Sequence, residues 1–164
     1  MLSNPQPRVL CVDDDEDARE MLSALLKFSL IETRAVGTAA QALSLIQAEH
    51  FDLYLLDAWL PDLDGVELCR RVRVLDPHTP VLFYSGAAYD DDKKRAIDAG
   101  ANAYLTKPDV DGLLGRVTEL VSLAKCVAAS PWANSECPMD HIFDQSREIR
   151  QPACLTSQES RNAE

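Results

Sequence analysis

The chain lacks any apolar run near the roughly 18 residues that a bilayer-crossing helix requires. Its opening, MLSNPQPR, carries no hydrophobic signal segment, so a cytoplasmic location with no membrane partner is expected. Positive charge is short: 16 Lys and Arg stand against 27 Asp and Glu, a net charge of -11. A surface of that sign repels phosphate backbones and anionic lipid, which removes nucleic acid from the expected partners. Cysteine shows no pairing pattern. Cys11, Cys69, Cys126, Cys137 and Cys154 are odd in number, irregularly spaced and without a CxxC pair, which argues against a disulfide framework or a structural zinc site. No internal repeat is visible. What is present, 46% hydrophobic and 26% charged residues over 164 positions, suits one soluble domain with a tail.

The apolar pattern alternates between two periods. Val9 to Val12 is a continuous apolar run, as a parallel strand covered on both faces should be. Ala18, Met21, Leu22, Leu25 and Leu26 then recur at helical spacing. Ile31 to Val36 predicts a weaker second strand, and Thr38 can cap the helix that carries Ala39, Ala42, Leu43 and Ile46. A third strand, Leu53 to Leu56, ends at Asp57; the helix after it turns Val66, Cys69 and Val72 inward and stops before Pro77. Pro80 to Tyr84 predicts a fourth strand, and a polar helix with the run DDDKKR (Asp90 to Arg95) closes at Gly100. Asn102 to Thr106 predicts a fifth strand, followed by a helix with Val110, Leu113, Leu114, Val117, Leu120 and Val121 on one stripe. Five βα units in series imply a parallel sheet with helices on both faces. Arg70, Arg71 and Arg73 read as surface charges, Cys11 and Cys69 as small core residues.

In an open α/β sheet, ligands sit beyond the carboxyl ends of the strands. The expected strands end in Asp13 and Asp14, in Asp57, in Ser85 and in Lys107. A doubly wound sheet brings these side chains to one corner. Three facing carboxylates need a counter-charge, and Mg2+, which accepts a few oxygen ligands and keeps its waters, is the expected cofactor. Asp15, Glu16 and Asp17 have another reason to be there: acidic residues cap a helix start and complement its dipole. A carboxylate beside a metal, a cation and a hydroxyl can attack a phosphoryl group, which casts Asp57 as a nucleophile. No His, Cys or second base stands in these loops for a conventional hydrolase.

The stretches VLCVDDD, DLYLLDAWLPDLDG, PVLFYSG and AGANAYLTKP, in this order and spacing, resemble the receiver domain of two-component response regulators, of the chemotaxis-regulator kind. The resemblance covers Arg8 to Lys125. It implies a flavodoxin-like (βα)5 doubly wound parallel sheet with strand order 2-1-3-4-5 in a receiver domain over 8–125, after an N-terminal arm over 1–7; from there on the apolar pattern fails among scattered prolines and polar residues, so a flexible or partly helical tail is expected over 126–164. The resemblance makes Asp57 the phosphoacceptor, with Asp14 and Asp57 touching Mg2+ directly, Asp13 acting through a bound water, and Trp59 lending its backbone carbonyl. Ser85 and Lys107 would contact the phosphoryl group, and Pro108 would set the loop. Tyr104 matches the aromatic switch that turns inward as the Ser85 hydroxyl moves. The phosphoryl donor would be a sensor histidine kinase or a histidine phosphotransfer protein. The output would be an unidentified protein, reached through the fourth helix, fifth strand and fifth helix, a face that also allows a homodimer.

Three positions depart from the commonest family pattern: Trp59 two residues after Asp57, Ala87 two after Ser85, and Asp109 after Pro108. The first two flank the path of attacking water, so Trp59 is expected to alter the lifetime of the aspartyl phosphate. Two rival readings stay open at this level. One is a Mg2+-dependent phosphatase of haloacid-dehalogenase type, in which Asp13 and Asp15 form the DxD pair. The other is a receiver-like binding module that works without phosphorylation. In the tail, Trp132, Ile142 and Phe143 offer apolar contacts, and Cys137, His141 and Cys154 fit no usual zinc spacing.

Overall fold

The computed structural model describes residues 6–128, with side chains through residue 124; residues 126–128 of the expected tail continue the last helix, and the rest of it, with Trp132, Cys137, His141, Ile142, Phe143 and Cys154, lies outside the described residues. Five strands and five helices alternate: β1 (Arg8–Val12), α1 (Glu16–Phe28), β2 (Glu32–Val36), α2 (Ala39–Ala48), β3 (Leu53–Leu56), α3 (Gly65–Leu75), β4 (Val81–Ser85), α4 (Asp90–Asp98), β5 (Ala103–Thr106) and α5 (Val110–Ala128). All strand pairs are parallel, in the order β2-β1-β3-β4-β5. The alternating periods implied a parallel sheet between helices, and the flavodoxin-like order implied by the family resemblance is the one found. The order reverses direction between β1 and β3, so the topological switch point opens beside their carboxyl ends.

Successive strand residues face opposite ways, and each face has its own core. Leu10, Val12, Tyr54, Leu56, Val81 and Phe83 pack beneath Ala39 and Ala42 of α2, Val66, Cys69 and Val72 of α3, and Ala96 of α4. Val9, Cys11, Leu53, Leu55, Leu82 and Tyr84 pack beneath Leu22 and Leu26 of α1 and Leu113, Val117, Leu120 and Val121 of α5. Each such aliphatic side chain contributes about 1.5–3 kcal/mol of burial. Cys11 and Cys69 are buried free thiols, pushed by that burial up to about 12 and about 11, so they behave as the small core residues expected.

Local chemistry places the helix ends. Asp15 caps α1, accepting from the N–H groups of Asp17 (2.9 Å) and Ala18 (3.2 Å). Thr38 caps α2 through the Gln41 N–H. Asp64 caps α3 through Val66, and α3 ends at Leu75 because Asp76, before Pro77, is extended. Gly100, at φ +101°, takes the left-handed position after α4 that a side chain disfavours. Among the described residues no helix is long and apolar enough to cross a membrane.

One expectation is corrected here. Arg70 and Arg71 are exposed partners of Glu67, but Arg73 is a half-buried hub. Its guanidinium donates to the carbonyls of Gly100 (2.9 Å) and Thr79 (2.6 Å) and to Asn102 Oδ1 (2.8 Å), tying α3 to the turns before β4 and β5. Those partners lie far away in sequence, where helical spacing carries no signal. Beside it Asp76 accepts from the Tyr54 hydroxyl (2.8 Å) and from the N–H groups of His78 and Thr79. Burial pushes the Asp76 carboxyl up, but the hydrogen bonds from Thr79, Tyr54 and His78 outweigh it and hold the group down to about 2. A carboxyl depressed on folding stabilises above its unfolded value near 4, and that stability is lost as pH falls through 2. Discounted for partial exposure, Asp76→Asn is expected to cost on the order of 1–2 kcal/mol at pH 7, with the gap from wild type closing between pH 4 and 2 in urea melts.

Candidate functional site

The carboxyl ends of β1, β3, β4 and β5 converge as the strand endings required. The Asp57 N–H continues the ladder onto Val12 O (2.8 Å), and the Lys107 N–H onto Ser85 O (2.9 Å), so both side chains leave the sheet at fixed height. Asp13, Asp14 and Asp57 each present a carboxylate oxygen within 4.8 Å of the others. Lys107 Nζ lies 2.6 Å from Asp13 Oδ2 and 2.6 Å from Asp57 Oδ2. The Ser85 hydroxyl, fully buried, donates to Asp57 Oδ1 at 2.6 Å, and the Trp59 N–H donates to the same oxygen at 3.2 Å. These groups line an open pocket of about 440 Å3.

The electrostatics follow from burial. Asp13 is only 2% exposed, and this burial pushes its carboxyl up despite the Lys107 ammonium beside it. Burial alone would pull Lys107 down, but its hydrogen bonds to Asp13 and Asp57 win and hold it above the usual lysine range. One ammonium faces three carboxylates, so the corner keeps an excess of negative charge. All the candidate donors are hard oxygens; Asp13 and Asp57 each accept hydrogen bonds on both carboxylate oxygens, whereas among the described residues the Asp14 carboxylate accepts none. That donor set fits Mg2+, and among the described residues no sulfur or imidazole joins it.

The remaining expected residues are found as follows. Trp59 flanks the pocket and is 68% exposed. The Lys107–Pro108 bond is cis. Asp109 accepts from the Gly112 N–H at the start of α5, which accounts for a polar residue after Pro108. Tyr104 is half-buried, stacked on Phe83 at 5.7 Å between ring centroids, and its hydroxyl donates to Ala87 O at 2.7 Å. Burial pushes that hydroxyl up, so it remains a donor. The Ala87 N–H in turn reaches Ser85 Oγ at 3.4 Å. A continuous chain therefore runs Asp57, Ser85, Ala87, Tyr104.

Several contributors were not anticipated. Tyr89 and Asp92, at and just inside the start of α4, also line the pocket; their run reads in sequence as a solvated helix face. The loop after β3 is fastened by side chains. Asp62 accepts from the Ala39 and Ala40 N–H groups (2.9 Å each) at the start of α2, and the Ala39 N–H holds its carboxyl below the ordinary range. Asp64 receives Arg95 of α4 at 2.8 Å.

An acidic corner with one lysine at the switch point of a (βα)5 sheet defines a class of aspartate-centred signalling domain, and the comparisons place the chain in it. The family model of the response regulator receiver domain matches residues 9–118, and the chain belongs to that family. The response regulator protein PilR of Pseudomonas aeruginosa is 39% identical over 117 residues, covering 71% of this chain and 26% of the relative. The response regulator MprA of Mycobacterium leprae is 33% identical over 119 residues, covering 72% of this chain and 52% of the relative. This chain thus spans about a quarter to a half of those curated relatives. Among solved structures, the CheY-like receiver domain protein of Methanospirillum hungatei superposes with a TM-score of 0.71 at 31% identity, covering 74% of this chain and 98% of that one. Residues 9–118 thus form a receiver domain of two-component signalling.

Proposed function

We propose that the chain is a phosphorylation switch in which Asp57 accepts a phosphoryl group from the phosphohistidine of a sensor kinase or a histidine phosphotransfer protein. The carrying observation is the Lys107–Asp57–Ser85 contact set, 2.6 Å on each side, at the mouth of an acidic pocket. One Asp57 oxygen attacks phosphorus; the O–P bond forms as the N–P bond of the donor breaks, and the imidazole leaves with the electron pair and takes up a proton. Catalysis is positioning and charge stabilisation. Lys107 and Ser85, which now hold the carboxylate, transfer their hydrogen bonds to phosphoryl oxygens. Asp13, Asp14, Asp57 and the Trp59 backbone carbonyl would hold Mg2+, which when bound neutralises charge on the phosphoryl group.

Movement of Ser85 pulls on Ala87 and so on Tyr104. This biases the α4–β5–α5 face, where an output protein or a second copy of the chain would dock. Neither membrane nor nucleic acid enters this reading, and it is set in the cytoplasm. Water later removes the phosphoryl group. The phosphatase alternative is disfavoured by the receiver-family match over residues 9–118, and Asp15, which it needs as acid or base, spends Oδ1 on capping α1. The phosphorylation-free alternative leaves the whole set of Asp13, Asp14, Asp57, Ser85 and Lys107 without a purpose.

Acetyl phosphate with Mg2+, followed by intact mass, tests the assignment: wild type should gain one phosphoryl group and Asp57→Asn none. Equal phosphorylation of both proteins would sink it. Trp59 gives a second test. Trp59 lines the pocket two residues after Asp57, and on this reading its bulk hinders attacking water that a smaller amide would admit and orient. Trp59→Asn should shorten the aspartyl-phosphate lifetime by about tenfold, equivalent to ~1.4 kcal/mol of barrier. Phosphate release at an unchanged rate would refute this role.

A further inference from the structure

We infer that Arg19 is a positioning residue that sets the divalent-cation affinity of the acidic corner, an inference resting on the reading of that corner as a Mg2+ site. Arg19 lies in the second turn of α1, and sequence pattern gives it no role. One nitrogen of its guanidinium, Nη1, donates to two main-chain carbonyls at once, those of Asp13 (2.8 Å) and Asp14 (2.9 Å). Among the described residues it pairs with no carboxylate. The guanidinium is also packed under the next loop: a Cβ placed on Gly37 would meet Nη1 at 3.0 Å. It is therefore held between the β1–α1 and β2–α2 loops.

The consequence is geometric. Fixing the carbonyls of Asp13 and Asp14 fixes the two peptide planes from which their side chains project. The carboxylates then face the pocket before any cation arrives. Lys107 organises the corner differently, because it occupies the carboxylate oxygens that a cation needs. Arg19 leaves those oxygens free. Its positive charge taken alone would repel a dication, so charge and positioning predict opposite signs. Groups that orient metal ligands typically change affinity by 10–100-fold when removed, and the guanidinium's charge is screened near solvent. Positioning should win.

The test is calorimetric titration of the full 164-residue chain with Mn2+ and with Mg2+, beside thermal melts in EDTA. Arg19→Met should bind about tenfold more weakly, with Arg19→Lys, which keeps a donor but not the planar guanidinium, falling between Arg19→Met and wild type. At saturating Mg2+ both should still be phosphorylated on Asp57. Unchanged or tighter binding by Arg19→Met overturns the inference, as does an Arg19→Lys no better than Arg19→Met when both melt early in EDTA. Should Arg19→Met not fold, Arg19→Lys decides alone: binding at least about threefold weaker supports the inference, and wild-type affinity overturns it. Asp14→Asn separates the two levels. A wild type that binds no better than Asp14→Asn removes the cation site and this inference with it, whereas a binding wild type matched by Arg19→Met removes the inference only.

Discussion

Gly65→Ala is expected to cost about 3–5 kcal/mol, among the largest effects of any single methyl in this chain. Gly65 opens α3, and its N–H reaches back to Ala58 O at 2.9 Å. A Cβ there would sit 2.1 Å from Asp57 O and 2.9 Å from Ala58 Cα. Both obstacles are backbone, so no side-chain rotation relieves them. The start of α3 or the peptide carrying Asp57 must move, and the close packing around them resists. Urea denaturation should show the loss of stability. Where the variant still folds, acetyl phosphate should label it poorly, because the nucleophile has been displaced. Gly115→Ala, in open space on α5, is the matched control and should leave labelling intact.

Lys107→Met is expected to lower stability by about 2–3 kcal/mol in EDTA, just under the range for breaking a buried pair because the ammonium end reaches solvent. Asp13 and Asp57 are both buried and would face each other and Asp14 without the ammonium that pairs with them, keeping only neutral donors such as Ser85. Millimolar Mg2+ should restore part of the loss, since a ligand that binds only the folded state stabilises it. The melting-temperature rise with Mg2+ should therefore be larger in the variant than in wild type. Phosphorylation should fall by about 100-fold, as when a positioned charge donor is removed from a transition state. A variant that melts like wild type in EDTA would contradict the electrostatic account of the corner.

The fold and the corner were legible for one reason: both are written in short-range pattern. The continuous run Val9 to Val12 and the helical spacing of Leu22 and Leu26 say which face is buried, and the residue at which each strand stops says what stands at the sheet edge. Asp57, Lys107 and Ser85 meet because parallel strands end together, not because their neighbours in sequence are distinctive. Arg73 looks like a surface charge in sequence because its acceptors, Thr79, Gly100 and Asn102, belong to other turns. Asp62 was passed over because the helix it caps lies 22 residues and more before it. Gly65 closes the stretch DLYLLDAWLPDLDG, but nothing there tells its close backbone approach, which leaves only an absence of side chain. Asp92 sits in, and Tyr89 just before, a run whose charge describes its solvent side and hides the side toward the pocket.

The loop after β3 hooks one acidic side chain onto the start of α2 and another onto the start of α3 and Arg95. Its residue count is therefore locked. Adding or deleting a single position between Ala58 and Gly65 would unseat two helix beginnings together, whereas surface loops elsewhere absorb length changes at small entropic cost. Variants of this domain can be expected to differ there in side-chain identity while conserving the number of steps.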